Sequence, residues 1–263
     1  AMKFAATIAG LCLVALPCAA ATPPESPPSR LGSGYLKDAA LAADFSPPPP
    51  APGSAAQARD DEAAKAALML RDSPRWTLAT ADAELFGPTA TAAFSCTVGV
   101  AIGPATTPRL DKLLRRTIAD FGRSTSKIKQ GYTRPRPFMV NGLATCTPDM
   151  EAVLRKDGSY PSGHSAIGYG WGLILSQLRP DLASTLVARG RAFGDSRRIC
   201  NAHWLSDTEE GRLAASATLA RLNAEPAFQK DMKAARTELA RAKAPPARCD
   251  AETAALTQGG TQP

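Results

Sequence analysis

The sequence has 263 residues, of which 44% are hydrophobic and 6% aromatic, enough for one hydrophobic core of ordinary size if alanine-rich helices pack it. Beyond its start, no segment reaches the roughly 18 uninterrupted apolar residues of a membrane-spanning helix, which excludes a spanning protein. The net charge of +7 fits nucleic acid, an anionic envelope or an anionic substrate, and its scatter along the chain favours a solvated basic face.

Residues 1–21 have the pattern of a signal peptide. Lys3 precedes a mostly apolar stretch from Phe4 to Leu16, and the small residues Ala19 to Ala21 provide an A-x-A cleavage site. Because Leu16-Pro17 is a poor lipobox, a lipid anchor on Cys18 is not expected. The pattern predicts a periplasmic or secreted protein after the signal peptide is removed.

Residues 22–53 are rich in proline. They hold nine of the 23 prolines, including the run from Pro47 to Pro50. Since proline fixes φ and lacks a backbone N–H, this segment cannot form a helix or a central strand. We expect an extended arm that runs over the surface.

From residue 54 to about residue 245 one helix signal follows another. Ser54 and Ser73 are predicted N-caps, and Ser73 and Thr107 are each followed by proline at the first helical position. After Thr107 the apolar residues recur at i, i+3, i+4, i+8 and i+11, which is one face of a helix. That face contains Leu110, Leu113, Leu114, Ile118 and Phe121.

Further helices are predicted in the second half of the chain. One runs from about Ala166 to Leu178, and others begin near Pro180 and Pro226. The first contains glycines that lower helix propensity yet permit very close helix contacts, namely Gly168, Gly170 and Gly172. Without an alternating β-pattern, the predicted class is all-α, a single compact helical domain over 54–245 with a flexible tail over 246–263.

Cleavage of the signal peptide removes two of the six cysteines, Cys12 and Cys18. In an oxidising compartment the remaining four can form two disulfides, with three pairings open. A zinc site is disfavoured because no C-x-x-C spacing occurs. The four cysteines are Cys96, Cys146, Cys200 and Cys249.

The chain has only two histidines, His164 and His203. His164 ends the segment Gly158 to His164, a small-residue turn directly before a predicted helix. Free backbone N–H groups and the helix dipole make such a turn an anion site, to which the Ser162 hydroxyl adds a donor. Taken alone, the segment is equally well a turn with a helix cap.

His203 is followed four residues later by Asp207, so the two side chains share a face if the segment is helical. A carboxylate that accepts the Nδ1 proton would leave the Nε2 lone pair as a nucleophile. An incidental helical His/Asp pair is the simpler alternative.

A third cluster spans Lys129 to Pro137, where two Arg-Pro steps hold the backbone extended. Arginine binds phosphate oxygens through two N–H groups and lysine adds a point charge, so Lys129, Arg136 and Arg197 could together neutralise a phosphoryl group. A solvated basic loop is the alternative for this cluster alone.

The three clusters jointly match one pattern: K-x6-R-P from Lys129, P-S-G-H from Pro161, and S-R-x5-H-x3-D from Ser196. This is similar to the signature of the superfamily that contains type 2 phosphatidic acid phosphatases, vanadium haloperoxidases and bacterial class A non-specific acid phosphatases. Resemblance to class A covers nearly the whole mature chain, including Pro47 to Pro50. Departures are Ser165 for threonine, Pro135 for an aliphatic residue, and Asn201-Ala202 for Gly-Tyr.

The resemblance implies a metal-independent acid phosphatase, without a cofactor, that hydrolyses phosphate monoesters through a phosphohistidine on His203. Asp207 would orient His203, and His164 would protonate the leaving alcohol. The residues implied to hold the phosphate are Lys129, Arg136, Ser162, Gly163, His164 and Arg197. It also implies broad specificity for nucleotides, sugar phosphates and aryl phosphates, inhibition by vanadate or phosphate, a homo-oligomer, and phosphotransferase side activity.

Three other functions fit part of the pattern. A vanadate-dependent haloperoxidase and a lipid phosphatase use nearly the same site, but a short exported chain without membrane spans argues against both. A non-catalytic basic protein that binds the envelope or nucleic acid is the alternative from a different class, and it would show salt-dependent retention on DNA without activity. The sequence leaves open the preferred ester, the disulfide pairing, the number of subunits, and the balance of hydrolysis and transfer.

Overall fold

The computed structural model describes residue 2, residues 31–37 and residues 45–258. The predicted signal peptide apart from Met2, with Cys12 and Cys18, and the last five residues of the predicted tail lie outside the described residues. From Leu31 onward the described residues belong to one compact unit. They form helices and no strand, which confirms the all-α class.

The described residues contain twelve α-helices and three short 3-10 helices. The α-helices are α1 Ala55–Leu68, α2 Pro74–Asp82, α3 Ser95–Val98, α4 Pro108–Arg123, α5 Ser126–Tyr132, α6 Pro137–Asn141, α7 Glu151–Leu154, α8 Gly163–Leu178, α9 Ala183–Ile199, α10 Leu205–Leu222, α11 Pro226–Leu239 and α12 Cys249–Gln258. The 3-10 helices are Ala90–Phe94, Pro148–Met150 and Pro180–Leu182. None of these helices has the length and hydrophobicity that crossing a lipid bilayer requires.

Two of the predicted helix starts have the side-chain cap that the sequence indicates. The hydroxyls of Ser54 and Ser73 accept hydrogen bonds from the backbone amides three residues later, at 3.1 and 3.3 Å. Thr107 precedes α4 as predicted, but its hydroxyl accepts from the Gly103 amide instead. The first amides of α4 donate to the carboxylate of Glu238, which is compatible with the helix dipole.

The long helix α8 lies at the centre and packs against α4, α9 and α10. Its glycines allow this, as the sequence predicts. A Cβ at Gly170 would lie 2.4 Å from the Phe121 ring, and one at Gly172 would lie 2.7 Å from the Leu186 carbonyl oxygen. Gly168 is equally crowded. The predicted apolar face of α4 is fully part of this core.

Two more glycines bring the ends of three helices together. A Cβ at Gly211 in α10 would lie 2.5 Å from the Ser162 carbonyl oxygen, and one at Gly194 in α9 would lie 3.0 Å from the Ser165 hydroxyl. The start of α8, the last turns of α9 and the start of α10 therefore meet. All three signature clusters converge on this junction.

The described parts of the proline-rich segment, residues 31–37 and 45–53, are not confined to the surface, and its residues 22–30 and 38–44 lie outside the described residues. Tyr35 and Leu36 are buried, and their backbone amides donate to the carboxylate of Asp120 in α4 at 2.9 Å. The carbonyl of Pro47 accepts a hydrogen bond from the hydroxyl of Tyr160 at 2.8 Å. Composition predicted the extended backbone, but these long-range hydrogen bonds anchor it to the domain.

The expectation of a flexible tail from residue 246 onward is wrong for residues 249–258, which form α12. A disulfide joins Cys249 at its start to Cys96. Glu252 pairs with the buried Arg189 of α9 at 2.8 Å. These bonds link residues far apart in sequence, so no local sequence pattern could predict them. The second disulfide is Cys146–Cys200, which settles the pairing that the sequence left open.

Candidate active site

His203 lies in the turn between α9 and α10 rather than on a helix. The turn begins at Cys200, tied by its disulfide, and at Asn201, whose φ of 60° is left-handed. Asparagine tolerates this conformation better than most residues, which explains how it can replace a glycine. Its side-chain amide exchanges hydrogen bonds with that of Asn141 at 2.9 and 3.1 Å. The turn is thus fixed by the disulfide at Cys200 and by the hydrogen bonds at Asn201.

The predicted pair of His203 and Asp207 is present, but the prediction of a shared helix face is wrong. Asp207 is the third residue of α10, and its Oδ2 accepts the Trp204 amide at 2.8 Å and faces the Nδ1 of His203 at 3.2 Å. The carboxylate therefore caps the helix and binds the imidazole with the same oxygen. His203 therefore has the predicted partner, although it lies before the helix and Asp207 lies within it.

The other ring nitrogen of His203 faces a guanidinium. Nη1 of Arg136 lies 2.9 Å from Nε2. Arginine can only donate, so Nε2 must accept, and the ring proton lies on Nδ1 toward Asp207. Burial lowers the pKa of His203 well below its usual value, and the charges of Arg136 and Lys129 lower it further. The ring is neutral, with its Nε2 lone pair on the side of the cations.

Arg136 and Lys129 meet at the segment before the P-S-G-H turn. Lys129 Nζ donates to the Gly158 carbonyl at 2.5 Å and pairs with the Asp157 carboxylate at 3.2 Å. Arg136 Nη2 contacts the same two groups at 3.2 and 3.3 Å. Burial lowers the pKa of Lys129 to about 8, with a further contribution from the charge of Arg136. Two phosphate-binding candidates therefore share one exposed carboxylate.

His164 is the second residue of α8, where the first backbone amides have no partner within the helix. Ser162 caps the helix, accepting from the Ser165 amide at 3.2 Å, and its own amide donates to the Asp207 carbonyl at 2.9 Å. The Nε2 of His164 lies 2.9 Å from the Ala83 carbonyl, which can only accept, so Nε2 carries a proton. Burial, then Arg197, lowers the pKa of His164 well below its usual value.

Arg197 is in the last turn of α9 and only 2% exposed. Its Nε and Nη1 have no hydrogen-bond partner among the described residues. Burial lowers its pKa to about 9, with a further contribution from Arg136. A buried guanidinium with unmet donors is costly, and an anion that accepts from it would repay that cost.

The structure thus brings together all the residues that the sequence assigned to the site. His203 lies within the electrostatic field of Arg136, Lys129, Arg197 and His164. Gly163 opens α8, and Ser162 joins that turn to Asp207. Such a cluster can bind a tetrahedral anion and present it to the Nε2 lone pair of His203. Among the described residues no group of His, Cys, Asp and Glu side chains could hold a metal ion.

Sequence reasoning missed two residues at this site. Arg134 donates to the Oδ1 of Asp207 at 2.8 Å, although the sequence singled out only Arg136 from the two Arg-Pro steps. Asp157 contacts both Lys129 and Arg136, and its place directly before the Gly158 turn was the available signal.

Comparison with known proteins places this chain in a family. The model of the PAP2 superfamily matches residues 114–224. The chain is 41% identical to the non-specific acid phosphatase of Salmonella typhimurium over 196 residues, which are 74% of this chain and 78% of that protein. It is 39% identical to the non-specific acid phosphatase of Providencia stuartii, over 75% of this chain and 80% of that protein.

An acid phosphatase of Zymomonas mobilis is 39% identical over 74% of both chains. At this identity and coverage, the chain belongs to the class A non-specific acid phosphatase family of the PAP2 superfamily. The resemblance read from the three motifs is confirmed.

Proposed function

We propose that this chain is an acid phosphatase that hydrolyses a broad range of phosphate monoesters through a phosphohistidine on His203. The observation that carries the proposal is the Nε2 lone pair of a neutral, buried His203, 2.9 Å from Arg136 and within the field of Lys129 and Arg197. Arg197 has two nitrogens without a partner among the described residues. Such donors stabilise charge on a transferring phosphoryl group.

In the first step, Nε2 of His203 attacks phosphorus, and the bond from phosphorus to the leaving oxygen breaks. His164 gives a proton to that oxygen, so an alcohol leaves. Asp207 stabilises the positive charge that develops on the imidazole ring. In the second step, water attacks phosphorus, His164 takes its proton, and the bond from phosphorus to nitrogen breaks. An alcohol in place of water gives phosphoryl transfer.

The charges at the site also account for an acidic working range. Burial lowers the pKa of His164, and the charges of Arg197, Arg136 and Lys129 lower it further. A bound phosphate monoester brings negative charge into the same space, which raises the pKa of His164 again and lets it act as a cationic acid. Before it attacks, His203 is neutral, because its Nε2 accepts a hydrogen bond from Arg136.

No metal is needed for charge neutralisation in this proposal, since three cationic side chains surround the phosphoryl position. The test is hydrolysis of p-nitrophenyl phosphate with and without EDTA by wild type and by His203→Ala. We expect wild type to remain active in EDTA and His203→Ala to lose at least about 10⁴-fold in kcat, as loss of a nucleophile typically does. Loss of wild-type activity in EDTA contradicts metal independence.

A substrate panel across pH separates the alternatives. We expect nucleotides, sugar phosphates and aryl phosphates to be hydrolysed, and vanadate and phosphate to inhibit. Bromide oxidation with vanadate and peroxide would indicate a haloperoxidase, and preference for phosphatidic acid in detergent would indicate a lipid phosphatase. Salt-dependent retention on DNA without hydrolysis would indicate a non-catalytic binder. Export by the predicted signal peptide and assembly into a homo-oligomer belong to the same proposal.

A further inference from the structure

The guanidinium of Arg134 lies between two buried carboxylates. Its Nη1 donates to the Oδ1 of Asp207 at 2.8 Å, and its Nη2 donates to the Oδ2 of Asp60 at 2.7 Å. The side chains of Arg134, Asp60 and Asp207 are 7%, 1% and 0% exposed. Because its two terminal nitrogens bind two different buried carboxylates, the guanidinium is held in one orientation.

Asp60, in α1, also holds the start of α10. Its Oδ1 accepts the Ser206 amide at 2.8 Å, and its Oδ2 accepts the Ser206 hydroxyl at 2.6 Å. The Ser206 hydroxyl in turn accepts from Arg134 Nη1 at 2.9 Å. Asp60 therefore fixes both Arg134 and the helix turn that carries Asp207.

We propose that Arg134 is a positioning residue for the phosphohistidine reaction: it holds Asp207 as a carboxylate aligned on His203, and Asp60 holds Arg134 in place. This inference rests on the proposed function. The Oδ2 of Asp207 serves His203 and the Trp204 amide, and Oδ1 is the oxygen that Arg134 occupies. A complete chain of contacts thus runs from α1 to the nucleophile.

The charge of Arg134 matters because Asp207 is fully buried. Burial raises the pKa of Asp207, and Arg134 is the largest influence that lowers it. Lys129 also lowers it, but Lys129 is paired with Asp157 and, in the proposed mechanism, would bind the phosphate. The charged and titratable groups that face Asp207 are Arg134, Lys129 in α5, Arg136 before α6, Tyr160 before α8, and His203.

Two substitutions separate charge from hydrogen bonding. Arg134→Lys keeps the charge and loses the two-armed geometry, whereas Arg134→Gln keeps a donor and loses the charge. For Arg134→Gln we expect kcat on p-nitrophenyl phosphate to fall about 100-fold with KM within about twofold of wild type. The acid limb of kcat/KM should move to higher pH, because Asp207 then binds a proton more readily. For Arg134→Lys we expect a smaller loss of kcat and an acid limb at its wild-type position.

Arg59→Met is the matched control. Arg59 also joins α1 to α10, through an ion pair with Glu209 at 2.6 Å, but it is largely exposed and does not touch Asp207. We expect wild-type kcat and an unchanged pH profile for this variant. A purely structural role for Arg134 would lower the melting temperature and the active fraction without moving the acid limb.

An unmoved acid limb in folded Arg134→Gln overturns the inference. If that variant does not fold, a shifted acid limb in Arg134→Lys overturns the inference, and an unshifted limb with a kcat that stays reduced after correction for the active fraction supports it. His203→Ala is measured alongside. Activity retained by His203→Ala defeats the proposed function, whereas an inactive His203→Ala together with an unaffected Arg134→Gln defeats only the role of Arg134.

Discussion

His203 lies in the turn between α9 and α10 with both ring nitrogens bonded, whereas His164 lies in the first turn of α8 and bonds one carbonyl. His203 is 3% exposed, and His164 is only partly buried. The two rings also carry their protons on opposite nitrogens, Nδ1 for His203 and Nε2 for His164. The difference in tautomer follows from whether the atom facing Nε2 can only donate or only accept.

The comparison shows how one cationic site can give two identical side chains different chemistry. A nucleophile needs a lone pair held in one direction, and the contacts of His203 with Asp207 and Arg136 provide that. The proposed acid needs a proton whose affinity responds to the substrate, and the pKa of His164 is lowered by burial and by cations that a bound phosphate would neutralise. Position, more than residue type, assigns the role.

His164→Ala should have the largest effect on activity among the substitutions that test the difference between the two histidines. For an alkyl phosphate, whose leaving group needs a proton, we expect the first chemical step to slow by about 10²- to 10⁴-fold, the usual contribution of a general acid. For p-nitrophenyl phosphate the first turnover should slow by less than about tenfold, because p-nitrophenolate leaves without protonation. Rapid mixing that follows product release measures both.

The same variant tests the second step. Without His164 the attacking water loses its base, so p-nitrophenol should appear as a burst followed by slow turnover. Equal losses in the first chemical step on the alkyl and the aryl ester would contradict the assignment of His164 as the acid.

Imidazole ¹⁵N NMR should sharpen the comparison, because the chain has only two histidines. Both rings should be neutral near pH 6 and show opposite tautomers, since burial and the cations lower both pKa values. Phosphate should raise the pKa of His164 more than that of His203. His203→Gln and His164→Gln assign the two signals. Finding the same tautomer for both rings would refute the hydrogen-bond assignment.

Asp157→Asn should have the smallest effect. Its half-exposed carboxylate pairs with Lys129 and Arg136, so it competes with the phosphate for both cations. Pairs of this exposure contribute about 0.2–1 kcal/mol, so KM should fall by at most about fivefold with kcat nearly unchanged. Asp149→Asn, at an exposed aspartate eight residues earlier, is the control. A higher KM in Asp157→Asn would mean that Asp157 helps to bind substrate.

Much of the fold follows from local pattern. The caps at Ser54 and Ser73, the apolar face of α4 and the glycines of α8 were predicted because each depends on residues within about one or two turns. The helical state of residues 249–258 was missed because the disulfide and the Arg189–Glu252 pair come from distant parts of the chain.

The site divides in the same way. Motif spacing predicted that the histidines, Asp207 and the three cations belong to one site, because residue type alone indicates their chemistry. The roles of Arg134 and Asp60 were not predictable, since their partners are 73 and 74 residues away. The helical geometry assumed for His203 and Asp207 was wrong because a carboxylate at the third position of a helix can bind groups before the helix start.

The central claim is the covalent intermediate on His203, and the most direct measurement traps it. Enzyme mixed with ³²P-labelled p-nitrophenyl phosphate is quenched in alkali, where phosphohistidine survives, and the label is located by peptide mapping. We expect label on the peptide that contains His203 in wild type, more label in His164→Ala, and none in His203→Ala. Label on His164, or hydrolysis by His203→Ala without label, would contradict the account.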